Sequence, residues 1–314
     1  MDAQLLAARV NLVGPWLRQR FGGPVTKIGL DPGLGCPHRD PVSGAGGCTY
    51  CAPLAAGRGQ GHLPLSEQWR LGRERLAVAA RRRHQPPPAA LAYLQAGTAT
   101  HAPPQRLAAI FAEVAGLPGA AGVILSTRPD CLDPARWELI EELAGGRPFW
   151  LELGLQSAHD ATLKAIQRGH DRACFDAAVA QARARDINVV AHVVLGLPGE
   201  GPAQTDATAL HLARLGVWGV KLHGLMVLEG AALEADWRTG RFTPWSLAQW
   251  AAATAGFLAR LPAATLIHRL AADPGADRLL APDWAADKNL ALARLAHYML
   301  ETDLRQGALC PNAR

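Results

Sequence analysis

Lysine is scarce in this 314-residue chain. Lys27, Lys164, Lys221 and Lys288 are the only lysines among 32 basic residues, so arginine carries the net charge of +5. Long apolar runs are missing too: no stretch approaches the ~18 residues of a membrane span. The N-terminal stretch MDAQLLAARVNLVGPWLRQR lacks the basic start, apolar run and small-residue cleavage site of a secretory signal. No internal repeat or low-complexity segment interrupts the chain, and no glycine-rich loop ends in the Lys-Ser/Thr of a phosphate-binding P-loop. These absences argue against a membrane protein and a nucleotide-hydrolysing P-loop enzyme, and the expected compartment is the cytoplasm. With 49% hydrophobic and 19% charged residues, the composition is that of a globular protein. The arginine excess suits a polyanionic partner, because guanidinium forks match phosphate; the high alanine content also fits a GC-rich coding sequence.

A fourth clustered cysteine is also absent. Cys36, Cys48 and Cys51 stand in a C-x11-C-x2-C spacing, while Cys131, Cys174 and Cys310 lie far from them in sequence. In a reducing compartment, clustered thiols point to metal before disulfides. A closed structural zinc site takes four ligands, and His38 is the residue that would complete a Cys3His set. Three thiolates on a four-iron cluster instead leave one iron open to bind something else, whereas electron-transfer clusters use four cysteines. Gly44, Gly46 and Gly47 allow the tight wrapping that brings Cys36 to the close pair. Cys131 and Cys174 read as packing residues, and Cys310 as an incidental thiol.

Short apolar runs alternate with longer helical stretches, the pattern of βα units on a parallel sheet. Strands are expected at 25–31, 90–96, 122–128, 149–156, 188–195 and 217–223, with helices at 66–83, 104–116, 133–144, 159–185 (broken near Gly169) and 202–215. An amphipathic helix is expected at 2–20. The fold class is thus α/β: a partial (βα)6 TIM-type barrel over residues 1–223. Residues 224–314 form an α+β extension packed on it, with short strands at 225–228 and 264–270 and helices at 244–260 and 285–305. Strand alternation sends Leu151, Leu153 and Leu155 outward, and Glu152, Gly154 and Gln156 into the barrel. The same logic turns Gln95, Arg128, His192, Lys221 and His223 inward, near the strand C-termini where such barrels place their chemistry.

The cysteine spacing, with Tyr50 before the last cysteine, resembles the radical S-adenosyl-L-methionine (SAM) superfamily, in the branch related to the elongator catalytic subunit and a bacterial family of similar length. The resemblance extends through Thr127-Arg128-Pro129-Asp130, Glu152-Leu153-Gly154-Leu155-Gln156-Ser157, Arg168-Gly169-His170-Asp171, Gly196-Leu197-Pro198-Gly199-Glu200 and Lys221-Leu222-His223. It continues through Ile267-His268-Arg269 and Leu280-Ala281-Pro282-Asp283-Trp284. It implies a 4Fe-4S cluster on Cys36, Cys48 and Cys51, with SAM as the second cofactor. By the same resemblance, Gln95, Gly97 and Thr98 lie at the SAM amino group, although the common Gly-Gly-Glu is Gln-Ala-Gly-Thr here. Glu152 and Gln156 lie toward the ribose, Arg168 at the carboxylate, and Tyr50 with the Gly196-Leu197-Pro198 turn near adenine. Arg128 and His223 complete the candidate cofactor contacts, and Glu152, Gln156 and His192 are the candidate catalytic residues.

The implied activity is reductive cleavage of SAM to a 5′-deoxyadenosyl radical, with flavodoxin or ferredoxin as the kind of reductant. Three readings follow. The first is modification of tRNA, at a wobble uridine; the second is the same chemistry on a small metabolite or protein. The third is a non-catalytic iron–sulfur binding or regulatory protein, against which the inward polar ring argues. The chain shows no separate RNA-binding module of the RRM or KH kind and no acetyltransferase domain.

Overall fold

A computed structural model describes residues 2–39, 46–52, 60–272 and 278–311. Asp40 and Gly44 of the cysteine loop lie outside the described residues. Seven parallel strands form one curled sheet, in the order β1 (Val25–Leu30), β2 (Ala89–Leu94), β3 (Ala120–Thr127), β4 (Phe149–Gln156), β5 (Asn188–Leu195), β6 (Gly219–Gly224) and β8 (Leu266–Arg269). The short strands β7 (Val227–Leu228) and β9 (Leu279–Ala281) pair antiparallel beside it. Helices α3 (Leu65–Arg82), α4 (Pro104–Ala115), α5 (Pro134–Ala144), α7 (Arg172–Arg183) and α8 (Pro202–Leu215) connect successive strands. The short helix α6 (Asp160–Ala165) precedes α7, so the expected break near Gly169 is present.

The partial barrel is therefore the one expected from the sequence, with one strand more. Leu266–Arg269, read as part of the extension, pairs parallel with β6 and continues the sheet. The strand at 227–228 pairs with 279–281 and not with the expected strand at 264–270. Nor is the N-terminal helix continuous. It divides into α1 (Asp2–Arg9) and α2 (Val13–Phe21), because the backbone between them is used elsewhere. Asn11 accepts a hydrogen bond from Ile267 N at 2.8 Å and Leu12 forms a parallel bridge to Ile267, which covers the free edge of β8. Pro15 then sits in the first turn of α2, where its missing N–H costs nothing.

Two apolar layers position the site. Outside the sheet, Leu151, Leu153 and Leu155 pack in one core with Trp137, Ile140, Phe175 and Val179 of α5 and α7, as alternation predicts. Inside, Leu91, Ile124, Trp150 and Val190 meet Val13 and Leu17 of α2, which seals the N-terminal end of the barrel. The lumen thus has a hydrophobic plug below, in which His268 packs against Trp150 and Trp218. Two helices of the C-terminal stretch, α10 (Leu247–Arg260) and α11 (Lys288–Glu301), pack against α8 and α1 respectively and against each other, and α9 (Leu233–Arg238) lies beside β7. No helix is long and apolar enough to cross a membrane among the described residues.

Candidate active site

The C-terminal ends of the strands open into a cavity of about 780 Å³. Cys36, Cys48, Cys51, Tyr50, Gln95, Gly97, Thr98, Arg128, Gln156, Arg168, His192 and His223 all line it. Twelve of the sequence-derived site residues thus share one wall system. Glu152, Gly196, Leu197 and Pro198 do not reach it. The Leu197 side chain is instead buried with Leu163, Ile166, Val194 and Leu225, in an apolar cluster on which Tyr50 rests. That turn therefore supports the wall from behind.

The cysteine segment is stapled at several points. Cys51 N donates to Cys48 O at 3.0 Å, closing the turn that carries both thiols, and Thr49 N donates to Ile166 O at 3.1 Å. The Arg39 guanidinium donates to the carbonyls of Cys51 and Ala52, tying the Cys36 side of the loop to the close pair. Thr98 N donates to Gly35 O at 3.0 Å, docking the β2–α4 turn onto the residue before Cys36. Gly97 makes that approach feasible: its φ is +64°, and a Cβ would lie 2.4 Å from Leu34 O. Gly97→Ala is expected to cost about 1–3 kcal/mol in stability and to lower the iron retained per chain. Unchanged unfolding and iron content would contradict this docking.

Two arginines face the thiols. Arg128 forms a two-pronged pair with Asp130 (2.9 and 2.7 Å) and donates to Arg168 O at 2.7 Å. Arg168 donates to Gly154 O at 2.9 Å, and its Nη1 lies 3.8 Å from Cys48 Sγ. Gly154 leaves the room for this, since a Cβ there would stand 2.4 Å from Arg168 Nη2. Arg128 Nη1 and Arg168 Nε are buried with no partner among the described residues. Beside three thiols, these donors fit a cofactor that brings a cluster and a carboxylate together. Among the described residues no three His, Cys, Asp or Glu side chains converge closely enough for a single metal ion. Gln156 holds φ +76° beside a register shift in the β4–β5 pairing, a strained backbone at the lumen edge.

Deeper in the lumen, Glu152 is fully buried and consumed by a polar layer. Its Oε2 accepts from Tyr93 Oη (2.6 Å) and Lys221 Nζ (2.8 Å) and meets His192 Nε2 at 2.7 Å. Its Oε1 accepts from Lys27 Nζ at 3.3 Å. Alternation gave the correct face for Glu152, whose carboxylate is held by this layer behind the cavity wall. Burial would raise its pKa, but Lys221, His192 and Lys27 overcome that and hold it well below the usual carboxylate range. Burial pushes Lys221 down to about 8. Tyr93 and Lys27 were not singled out by the sequence, whereas Arg269 stood with His268 as a structural pair or a substrate contact. Tyr93 lies two residues before Gln95 on the same face, so alternation already pointed to it.

Cys131, Cys174 and Cys310 do not line the cavity. Burial pushes the Cys131 thiol up to about 12, which keeps it protonated and unreactive.

The buried histidines set an acid limit on stability. Burial, reinforced by Lys221, lowers His192 to about 4. Burial and Arg168 lower His170 to about 4, and burial and Lys27 lower His268 to about 3. Unfolded imidazoles bind protons from about pH 6.5 downward, so unfolding takes up protons below that pH and stability falls with acid. Glu152, with its lowered pKa, adds loss in the same direction below the ordinary carboxylate value. Urea unfolding is expected to show stability falling between pH 6.5 and 4, with His192 alone contributing on the order of 3 kcal/mol. A flat profile over that window would contradict neutral burial of these rings.

Comparison with known proteins agrees with the geometry. The chain matches the Radical SAM superfamily over residues 31–212 and the Radical_SAM C-terminal domain over residues 217–301. It belongs to the radical SAM superfamily, and it is an enzyme of that class whose cofactors are a 4Fe-4S cluster and SAM. It is 35% identical to Protein YhcC of Escherichia coli (strain K12), over 96% of this chain and 95% of that protein. Over 48% of this chain and 33% of the other, it is 30% identical to a tRNA uridine(34) acetyltransferase of Dehalococcoides mccartyi. Its fold resembles that of the archaeal Methanocaldococcus infernus Elp3 with a TM-score of 0.70 and 16% identity, over 90% of this chain and 64% of that one.

Proposed function

We propose that Cys36, Cys48 and Cys51 hold the cluster and that the protein reductively cleaves SAM to generate a 5′-deoxyadenosyl radical for hydrogen abstraction from a substrate in the lumen. The observation that carries this is the meeting of three thiols with two buried guanidiniums whose Nη1 (Arg128) and Nε (Arg168) atoms have no partner among the described residues. When bound, the cluster and SAM supply one-electron cleavage of a sulfur–carbon bond. Arg168 and Arg128 would hold the SAM carboxylate, and Gln95 with the Gly97–Thr98 turn its amino group. Tyr50, backed by the Leu197 cluster, offers an aromatic face for adenine. Gln156 reaches toward the ribose, while Glu152 acts from below by fixing His192 and Lys221. The apolar plug closes the lumen at its N-terminal end and keeps water from a radical formed above it. The reaction belongs in the cytoplasm, where thiols stay reduced, with a flavodoxin or ferredoxin as electron donor.

For the substrate, the partial likeness to a tRNA uridine(34) acetyltransferase supports a tRNA wobble uridine. The nucleosides of tRNA from a deletion strain, compared with wild type, test this: one modified uridine should disappear, and an unchanged profile would remove the tRNA reading. A second reading, a small metabolite, is favoured by the charged layer at the bottom of the cavity, where Lys221, His192, His223 and Arg269 face the lumen.

A further inference from the structure

The Glu152 carboxylate is held without help from Tyr93. Lys221 Nζ at 2.8 Å, His192 Nε2 at 2.7 Å and Lys27 Nζ at 3.3 Å already surround it. The Tyr93 hydroxyl joins them at 2.6 Å, and Lys221 donates to the phenol oxygen at 2.6 Å. A phenylalanine would fill the same space, so the hydroxyl needs another explanation. Tyr93 also lines the cavity. Among the described residues that do so, the side chains that readily give up a hydrogen atom are Tyr93, Tyr50 and the thiols of Cys36, Cys48 and Cys51. The thiols are assigned to the cluster and Tyr50 belongs to the cysteine loop, which leaves Tyr93 at the floor.

Its surroundings favour loss of a hydrogen atom over loss of an electron or a proton. Lys221 and Lys27 stand 5.0 and 5.2 Å from the ring centroid, and two ammoniums oppose a positive charge on the ring. Burial and the Glu152 charge hold the phenol well above its ordinary pKa, so its hydrogen stays on oxygen. Loss of a hydrogen atom changes no charge and escapes both penalties. We propose that Tyr93 is the hydrogen-atom donor that ends the reaction, returning a hydrogen to the carbon radical left on the substrate. This rests on the radical chemistry proposed above. The hydroxyl turns about its C–O bond from Glu152 to the lumen, while Lys221, Lys27 and His192 keep the carboxylate satisfied. The phenolic O–H bond breaks homolytically and a C–H bond forms. The O–H bond is the weaker of the two, so transfer to an unactivated alkyl radical runs downhill. One electron from the flavodoxin or ferredoxin donor then reduces the phenoxyl radical, and Lys221 Nζ, 2.6 Å away, supplies the proton to Oη. Burial lowers Lys221 to about 8, which eases that transfer. Lys27, with a side chain 26% exposed, links Glu152 to solvent and restores the proton.

The test needs no substrate, because the 5′-deoxyadenosyl radical is itself a carbon radical in the lumen. Cluster-loaded protein and SAM are mixed anaerobically in heavy water with one electron equivalent of dithionite, so that no second electron removes a phenoxyl radical. The 5′-deoxyadenosine is expected to carry one solvent deuterium by mass spectrometry, and the frozen sample to show the electron paramagnetic resonance signal of a phenoxyl radical. In Tyr93→Phe the deuterated fraction should fall to background and the signal should vanish. The proposal is overturned if the wild-type product carries no deuterium, or if label and signal persist in Tyr93→Phe. A second measurement uses the full chain without its cluster. The sequence holds three tyrosines, so Tyr50→Phe/Tyr298→Phe leaves Tyr93 as the sole phenol. Azide radicals generated by pulse radiolysis should then produce the visible absorption of a phenoxyl radical, and its absence would also overturn the proposal. A loaded wild-type protein that forms no 5′-deoxyadenosine counts against the cofactor chemistry instead, and the cluster-free result then decides Tyr93 by itself.

Discussion

Replacing Cys51 by alanine is expected to empty the site: iron per chain should fall from about four to near zero, and 5′-deoxyadenosine formation by about three orders of magnitude or more. The size of the effect follows from the way the ligands are held. Cys51 and Cys48 lie on one turn closed by a 3.0 Å hydrogen bond, and Arg39 ties the Cys36 side of the loop to the Cys51 carbonyl. Two thiols left on such a wall cannot retain a cluster that needs three attachment points. The remaining cysteines provide the contrast. Cys131, Cys174 and Cys310 replaced by alanine, singly, should leave iron content at the wild-type value, because none of the three lines the cavity that Cys36, Cys48 and Cys51 share. Iron retained in Cys51→Ala but lost in Cys131→Ala would assign the ligands wrongly.

Glu152→Ala is expected to be the most destabilising single change in the lumen, at about 3–5 kcal/mol. It strands Lys221, whose side chain is 9% exposed, and deprives Lys27, Tyr93 and His192 of their common acceptor. Glu152→Gln keeps the shape and part of the hydrogen bonding, so it should cost less. Adding Lys221→Met to Glu152→Gln should recover part of that loss, giving a coupling energy of opposite sign to the single effects. Urea unfolding checks both. A Glu152→Ala protein within about 0.5 kcal/mol of wild type would show that the layer is not a charge network.

Much of this site follows from period-two alternation. Leu151, Leu153 and Leu155 lie outside and Glu152 and Gln156 inside because one strand has two faces, and a single sequence reveals that. Depth along the barrel is another matter. Glu152 and Gln156 share a face, but only Gln156 reaches the cavity; Glu152 is claimed by Lys27, Lys221 and Tyr93 from three other strands. Those pairings depend on sheet register, which no local pattern carries. The seventh strand was hidden for a similar reason. Leu266–Arg269 is four residues long and follows β6 only after β7, α9 and α10, so its parallel pairing is a tertiary fact. The break between α1 and α2 likewise comes from residues 11 and 12 pairing with Ile267. The Gly196-Leu197-Pro198 turn, expected near adenine from the resemblance, does not line the cavity, and its leucine points into an apolar cluster on which Tyr50 rests.

The central claim is that this cavity performs radical SAM chemistry. Its most direct test is to reconstitute the full chain anaerobically, add dithionite and SAM, and quantify 5′-deoxyadenosine and methionine. The account predicts both products in equal amounts, with neither formed by Cys51→Ala. A protein that holds its cluster, binds SAM and yields no 5′-deoxyadenosine would contradict it.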